Sequence, residues 1–139
     1  STIRIQNKIL IIIDNDTAGH DAYQRIMALP LPANMRVVTL PYLPDLANFR
    51  TMGPTGEAHE DANGRAVAIE CFLDLRFGRE EPPAIRWTSY DTAAGQYQGE
   101  LIQKKDYTLA FFERCGKDAS YDLSKLKLLW SYLLKSCVA

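Results

Sequence analysis

The chain has 139 residues, of which 47% are hydrophobic and 24% are charged, and its net charge is −1 at pH 7. This length is enough for one domain with its own hydrophobic core. The near-neutral charge excludes a polycation that coats nucleic acid over its whole surface. The sequence contains no apolar run that approaches the roughly 20 residues of a membrane-spanning helix.

The cysteines and histidines are scattered along the chain. Cys71, Cys115 and Cys137 form no CxxC pair, and His20 and His59 stand alone. A structural zinc site is therefore not expected. An odd number of scattered cysteines, in a sequence without a signal-peptide pattern, predicts a reducing, cytoplasmic compartment.

The first part of the chain predicts a strand, a helix and a second strand. Residues 8–13 form a continuous apolar run, typical of a strand buried on both faces of a parallel sheet. Residues 17–28 have near-helical apolar spacing and end before two prolines. Residues 35–40 (MRVVTL) predict the second strand. This order indicates a βαβ unit with parallel strands and a right-handed crossover.

The elements after residue 40 are predicted from composition and periodicity. Residues 41–64, rich in Pro, Gly, Asn and Asp, predict a long loop, a feature that is usually functional or mobile. The other predicted elements are a helix at 65–75, hairpin strands at 85–90 and 96–102, and helices at 105–115 and 121–137. The last helix carries an apolar stripe formed by Leu123, Leu126, Trp130, Leu133 and Cys137.

Two carboxylates close the first predicted strand. Asp14 and Asp16 are separated by one residue, so in extended chain they share a face. Each carboxylate, when charged, makes ionisation of the other less favourable. Carboxylate oxygens are suitable ligands for Mg²⁺, which often binds one or two carboxylates. Gly19 and the helix start would let a phosphate approach the backbone. The alternative is that Asp16 or Thr17 caps the helix while Asp14 is solvated.

A hydrophobic strand followed by DND, a small residue and Gly, then a helix and a strand ending in LP, resembles the Toprim domain. That domain is the catalytic fold of topoisomerases, bacterial primases, recombination mediators and OLD-family nucleases. In this family an N-terminal Glu and a DxD pair hold Mg²⁺ for phosphodiester chemistry, and Asp14 and Asp16 match the pair. The strand ending at Leu40-Pro41, with Pro44-Asp45 nearby, is similar to the family's next strand and acidic loop.

The resemblance extends toward the C-terminus. NGRAVAIECFLDL and IRWTSYDTAAGQYQGELIQKK are similar to OLD-like Toprim proteins, including bacterial defence proteins that couple HEPN and Toprim modules. The resemblance implies that Glu70, on a helix, is a further metal-site carboxylate. It also implies that Lys104, with Lys105 as a close rival, lies near the scissile phosphate. The fold implied is a Toprim-like α/β domain with a parallel sheet, flanking helices, and a C-terminal hairpin and helices.

One departure from the family pattern changes the expected organisation. Residues 1–13 contain no Asp or Glu, so the family's first Glu is missing. We expect the chain to be the C-terminal part of a longer parent protein, whose N-terminal part is then a partner; the alternative is a degenerate, non-catalytic domain. The expected division is a Toprim-like domain at residues 1–115, lacking its first strand, and a helical extension at 116–139.

The resemblance predicts Mg²⁺- or Mn²⁺-dependent nuclease chemistry in a phage-defence context, with DNA favoured over RNA and the oligomeric state left open. Asp14, Asp16 and Glu70 are the predicted metal ligands, and Asp14 and Lys104 the predicted catalytic residues. The part of the long loop from Pro44 to Gly64 would lie over the site and offer Asp61 as a further acid. Each of these residues also has a simpler interpretation. Glu70 would be an ordinary exposed helix residue, and Lys104 and Lys105 would be a solvated strand end. Asp61 would lie in a turn, and His20 would be an ordinary surface residue.

Two other functional classes fit parts of the sequence. One is a Toprim-like remnant that binds nucleic acid or a partner protein without catalysis. The segment from Lys104 onward favours it, because it contains seven basic and only four acidic residues. The run Asp14-Asn15-Asp16-Thr17 also resembles the opening of HAD phosphatases, in which the first Asp is a nucleophile. The downstream Lys and acidic pair of that family have no convincing match here.

Overall fold

The computed structural model describes residues 9–137, and the statements below concern these residues. Strands β1 (Ile9–Ile13) and β3 (Met35–Thr39) pair in parallel along their whole length, and helix α1 (Thr17–Met27) connects them. The predicted strand–helix–strand unit and its parallel pairing are therefore confirmed, and the chain is a mixed α/β protein.

The expectation that β1 is buried on both faces is wrong. Ile9 and Ile12 are 45% and 42% exposed, whereas Ile13 is buried. Among the described residues β1 and β3 form a sheet of two strands, and α1 packs against this pair. A two-stranded sheet has too little neighbouring structure to cover every apolar side chain of its strands.

A short second strand pair ties the end of β1 to the middle of the chain. Strand β2 (Asn15–Asp16) pairs antiparallel with β6 (Ala66–Val67), so that Asn15 lies opposite Val67. Both residues of β6 are buried. The pairing anchors the segment after residue 67 beside the carboxyl end of β1.

The largest sheet has four strands in the order β5–β4–β7–β8. They are β4 (Phe49–Met52), β5 (Glu57–Glu60), β7 (Ile85–Asp91) and β8 (Gln96–Leu101). The predicted hairpin is confirmed as β7–β8, and β4 pairs parallel to β7. The predicted long loop is wrong in part, because it contains the β4–β5 hairpin and a short 3₁₀ helix, Pro44–Leu46.

The predicted helix at 65–75 is wrong. The segment is β6 followed by a 3₁₀ helix, Ile69–Phe72, and an extended residue, Leu73. Cys71, Phe72 and Leu73 are all buried. Three consecutive α-helical residues would spread over about 200° of the helix surface, so one face of a helix could not bury them all.

The C-terminal helices are confirmed with shifted ends. Helix α2 spans Lys104–Arg114 and α3 spans Ser124–Cys137. The inward residue of α3 is Leu129, which is 4% exposed, and not Trp130, which is 64% exposed. Leu126 and Leu133 pack against the same core. Among residues 9–137, no helix is both long and apolar enough to cross a lipid bilayer.

One hydrophobic core joins the sheets to both C-terminal helices. Its fully buried side chains include Leu43, Leu46, Val67, Phe72, Ile85 and Tyr107. Tyr132 of α3 also donates a hydrogen bond to the Thr39 carbonyl oxygen at 2.9 Å. Helix α3 therefore contacts the edge of the sheet at which β3 ends.

Candidate metal and phosphate site

Asp14 stands at the edge of the β1–β3 pair where both strands end. Ligand sites of parallel sheets form at this edge. The residue is exposed. Its carboxylate forms no hydrogen bond or ion pair with another described residue. Within residues 9–137 its oxygens are therefore not committed to another side chain.

Asp16 is buried and caps helix α1. Its Oδ1 accepts a hydrogen bond from the Gly19 amide at 2.6 Å, and its Oδ2 accepts one from Gln98 Nε2 at 2.9 Å. The capping interpretation of Asp16 is therefore correct. Each of the two carboxylate oxygens has a second acceptor position, so these hydrogen bonds leave room for one further partner at each oxygen.

The start of α1 is not the open phosphate cradle that the sequence suggested. The Gly19 amide is bonded to Asp16, and the Ala18 amide donates to Gln98 Oε1 at 2.8 Å. A Cβ at Gly19 would collide with the Asp14 carbonyl oxygen and lie 2.9 Å from Asp16 Oδ1. This position therefore requires glycine because the preceding turn folds tightly against the helix.

Glu70 reaches the site through the β2–β6 pair. Because Asn15 lies opposite Val67, the 3₁₀ helix Ile69–Phe72 begins close to the end of β1. Glu70 is half-buried, and its carboxylate has no hydrogen bond or ion pair within residues 9–137. The predicted helical setting was wrong, but the residue does lie within electrostatic range of Asp14.

Lys104 lies on a different segment, at the start of helix α2. Strand β8 ends at Leu101, Gln103 adopts a left-handed conformation with φ 55°, and Lys104 begins α2. Lysine at a helix N-terminus is opposed by the helix dipole. The Lys104 side chain is exposed and has no ion pair among the described residues, and its charge acts on Asp14.

The charges of Asp16, Glu70 and Lys104 all act on the Asp14 carboxyl. Although Asp14 is exposed overall, the protein around its carboxyl removes part of the solvent and raises its pKa; the negative charges of Asp16 and Glu70 raise it further, while Lys104 lowers it. Separate segments of the chain supply these charges. The result is an acidic group with one lysine, in which a cation would relieve the repulsion between carboxylates.

The donor set is chemically suited to Mg²⁺ or Mn²⁺, since all three acids offer hard oxygen ligands. In the part of the chain that the structure describes, no three His, Cys, Asp or Glu side chains are already gathered closely enough to hold a metal ion. Mg²⁺ commonly uses one or two carboxylates and keeps several waters. Two of these carboxylates together with water would satisfy that preference.

Three other predicted residues have local roles. Asp61 Oδ1 accepts hydrogen bonds from the Asn63 amide and side chain at 2.9 and 3.0 Å, which confirms the turn interpretation. Asp61 is not among the charges that act on Asp14. His20 Nε2 lies 2.8 Å from Asn15 Oδ1 on the surface. Lys105 is exposed on α2.

Lys125 is a residue of the site region that the sequence did not reveal. Its Nζ donates to the Cys71 carbonyl oxygen at 3.0 Å and lies 4.0 Å from Asp45 Oδ2. It therefore ties α3 to the 3₁₀ helix that carries Glu70. A helical lysine among several others gives no sequence signal for such a contact.

The chain matches no family model, no curated protein and no solved structure. The geometry of the site is therefore the basis on which a function can be assigned.

Proposed function

We propose that this chain carries Mg²⁺- or Mn²⁺-dependent phosphodiester chemistry on nucleic acid, as a Toprim-type nuclease of the OLD-like or HEPN–Toprim kind. The observation that carries the proposal is the placement of Asp14 and Asp16 at the edge where β1 and β3 end, with the segment of Glu70 anchored beside them by the β2–β6 pair. Acidic oxygens with one adjacent lysine suit a metal-bound phosphate.

Each residue has a distinct role in this proposal. Asp14 and Glu70 hold the metal, because their carboxylates are uncommitted within residues 9–137. Asp16 contributes its remaining acceptor positions while it caps α1. Mg²⁺ held by these residues would supply polarisation of the phosphoryl oxygens and a bound water of lowered pKa. Lys104 offsets the negative charge that develops on the phosphate as the bond breaks.

The proposed context is a larger bacterial defence protein in the cytoplasm, with DNA as the favoured substrate. Cys71, Cys115 and Cys137 are free thiols, which suits a reducing compartment. The N-terminal part of such a parent would supply the acidic residue that is missing before Asp14.

Metal binding is the first test. Calorimetric titration with Mn²⁺ should show saturable binding to the wild type and a loss of at least about tenfold in affinity in Asp14→Asn and in Glu70→Gln. Glu113→Gln, which changes an exposed acid on α2, is the matched control and should bind as the wild type does. Asp16→Asn is a poor test because it also alters the helix cap.

Cleavage is the second test. Labelled single- and double-stranded DNA and RNA are incubated with the protein and Mg²⁺ or Mn²⁺, with EDTA as the control. We expect metal-dependent cleavage that Asp14→Asn abolishes and that Lys104→Ala reduces by about 10²-fold or more. Wild-type protein that binds no Mn²⁺ and cuts none of these substrates would refute the proposal for this chain.

A non-catalytic binding module is the second candidate. It is favoured by the commitment of Asp16 to two structural hydrogen bonds and by the absence of a ready three-ligand metal group among the described residues. For this function, fluorescence anisotropy should show nucleic acid binding that EDTA does not change. Binding that requires Mn²⁺ would favour the nuclease instead.

A further inference from the structure

Gln98 of β8 contacts the first turn of α1, 80 residues away in the sequence, and nothing in the metal chemistry above uses it. Its Oε1 accepts from the Ala18 amide at 2.8 Å, and its Nε2 donates to Asp16 Oδ2 at 2.9 Å. The same Nε2 also donates to the Gly99 carbonyl oxygen at 3.0 Å. One side chain thus meets a backbone donor and a carboxylate at the same time.

These contacts fix the orientation of the Gln98 amide. The reversed orientation would point NH₂ at the Ala18 amide N–H and the carbonyl oxygen at the Asp16 carboxylate, so both contacts would become repulsive. A glutamate could not donate to Asp16, and a lysine could not accept from Ala18. The arrangement therefore selects a glutamine, which has an acceptor and two donors.

A second bond from the same turn runs to the same strand. Thr17 is buried, and its Oγ1 donates to the Tyr97 carbonyl oxygen at 2.7 Å. The start of α1 is therefore held to β8 at consecutive positions. Strand β8 leads through Gln103 to Lys104, so the same strand positions both the acidic and the basic side of the site.

We propose that Gln98 is a positioning residue: it holds the Asp16 carboxylate and the first turn of α1 against β8, and so fixes the separation between Asp16 and Asp14 that a metal ion encounters. The inference rests on the proposed metal function for its effect on binding. The hydrogen bond to a charged oxygen is of the stronger kind. Outer partners that orient metal ligands typically change metal affinity by about 10–100-fold when they are removed.

The test compares Gln98→Met with Gln96→Met. Methionine keeps the length of the side chain but removes all of its hydrogen bonds, and Gln96 is an exposed residue on the same face of β8. Mn²⁺ affinity, measured by calorimetry, should fall at least about tenfold in Gln98→Met and stay unchanged in Gln96→Met. Equal affinity in wild type and Gln98→Met would overturn the inference while leaving the nuclease proposal intact.

A spectroscopic readout separates positioning from simple loss of stability. The Gly19 amide proton, bonded to Asp16 at 2.6 Å, should resonate downfield in the wild type. It should move upfield in Gln98→Met, and in Gln98→Glu as well, where Ala18 keeps its acceptor but Asp16 meets a repelling oxygen. An unchanged Gly19 signal in both variants would overturn the inference.

The two readouts also keep the two proposals distinguishable. If the wild type binds no Mn²⁺, the metal function fails, and the Gly19 signal alone decides whether Gln98 positions Asp16. If the wild type binds Mn²⁺ and the Gly19 signal shifts together with a lower affinity in Gln98→Met, both proposals are supported.

Discussion

Gly19→Ala gives the sharpest single test of the site's geometry. In an ordinary helix this change stabilises, because alanine exceeds glycine in helix propensity by about 1 kcal/mol. Here the new Cβ would collide with the Asp14 carbonyl oxygen and lie 3.0 Å from the Asp14 carbonyl carbon and 2.9 Å from Asp16 Oδ1. The expected sign is therefore reversed.

The loss of unfolding free energy in Gly19→Ala depends on which neighbouring groups the new Cβ must displace. Overpacking against neighbours that cannot rotate away costs about 1–3 kcal/mol, and the neighbours here are the backbone of Asp14 and a carboxylate held by two hydrogen bonds. Taking the upper value of about 3 kcal/mol and subtracting the propensity gain leaves about 2 kcal/mol of net destabilisation. For a domain of this size that corresponds to a fall in Tm of about 7 °C.

Urea unfolding followed by far-UV circular dichroism measures this change, with Gln24→Ala on the exposed surface of α1 as the control. The control should stay within about 0.5 kcal/mol of the wild type. Calorimetry of Gly19→Ala should also show weaker Mn²⁺ binding, because displacing the Asp14 backbone moves its carboxylate. A Gly19→Ala protein as stable as the wild type would show that the turn after β1 is not packed as described.

Three further predictions concern titrating groups. Hydrogen bonds from Arg76 hold the pKa of the Asp74 carboxyl at about 2, against an ordinary 3.8, which corresponds to about 2.5 kcal/mol before screening. Arg76 is 63% exposed, so solvent screening reduces this value. We expect urea unfolding to show a loss of about 1 kcal/mol in Asp74→Asn at pH 7. The loss should shrink as the pH falls from 3.8 towards 2, where the wild-type carboxyl becomes protonated. Burial raises the pKa of the Cys71 thiol to about 11, so Ellman's reagent should label the other two cysteines of the native protein first, and rapid labelling of Cys71 would contradict its burial. Because the pKa of Asp14 is raised, Mn²⁺ affinity measured by calorimetry should decline on acidification at a higher pH than an ordinary aspartate would give.

The parts of the fold that the sequence predicted are those fixed by local pattern. The run before Asp14 has strand character, and the cap at Asp16 is a local signal for the start of α1, so both could be located without knowing the rest of the chain. The β7–β8 hairpin was found for the same reason, since its two strands flank a short turn.

The parts that the sequence missed depend on contacts between distant segments. Strand β6 has two residues, and only its pairing with β2 distinguishes it from the helical pattern of residues 65–75. Gln98 and Lys125 act through partners far away in the chain, and neither residue type carries a local signal for such a role. Electrostatic proximity of Glu70 to Asp14 was inferred from family resemblance, because propensity alone could not supply it.

The charge balance of the site indicates how a cation would be held. Lys125 donates a hydrogen bond to the Cys71 carbonyl oxygen, next to Glu70, and forms an ion pair with Asp45. Lys104 is the lysine whose charge acts on the Asp14 carboxyl. Asp16 is already stabilised by the Gly19 amide and by Gln98, so its charge is better compensated than those of Asp14 and Glu70. A divalent ion would therefore gain most by lying between Asp14 and Glu70, with water completing its shell. Under the proposed metal function, Asp14 therefore has the larger part in binding the ion, whereas Asp16 also holds the start of helix α1 in place.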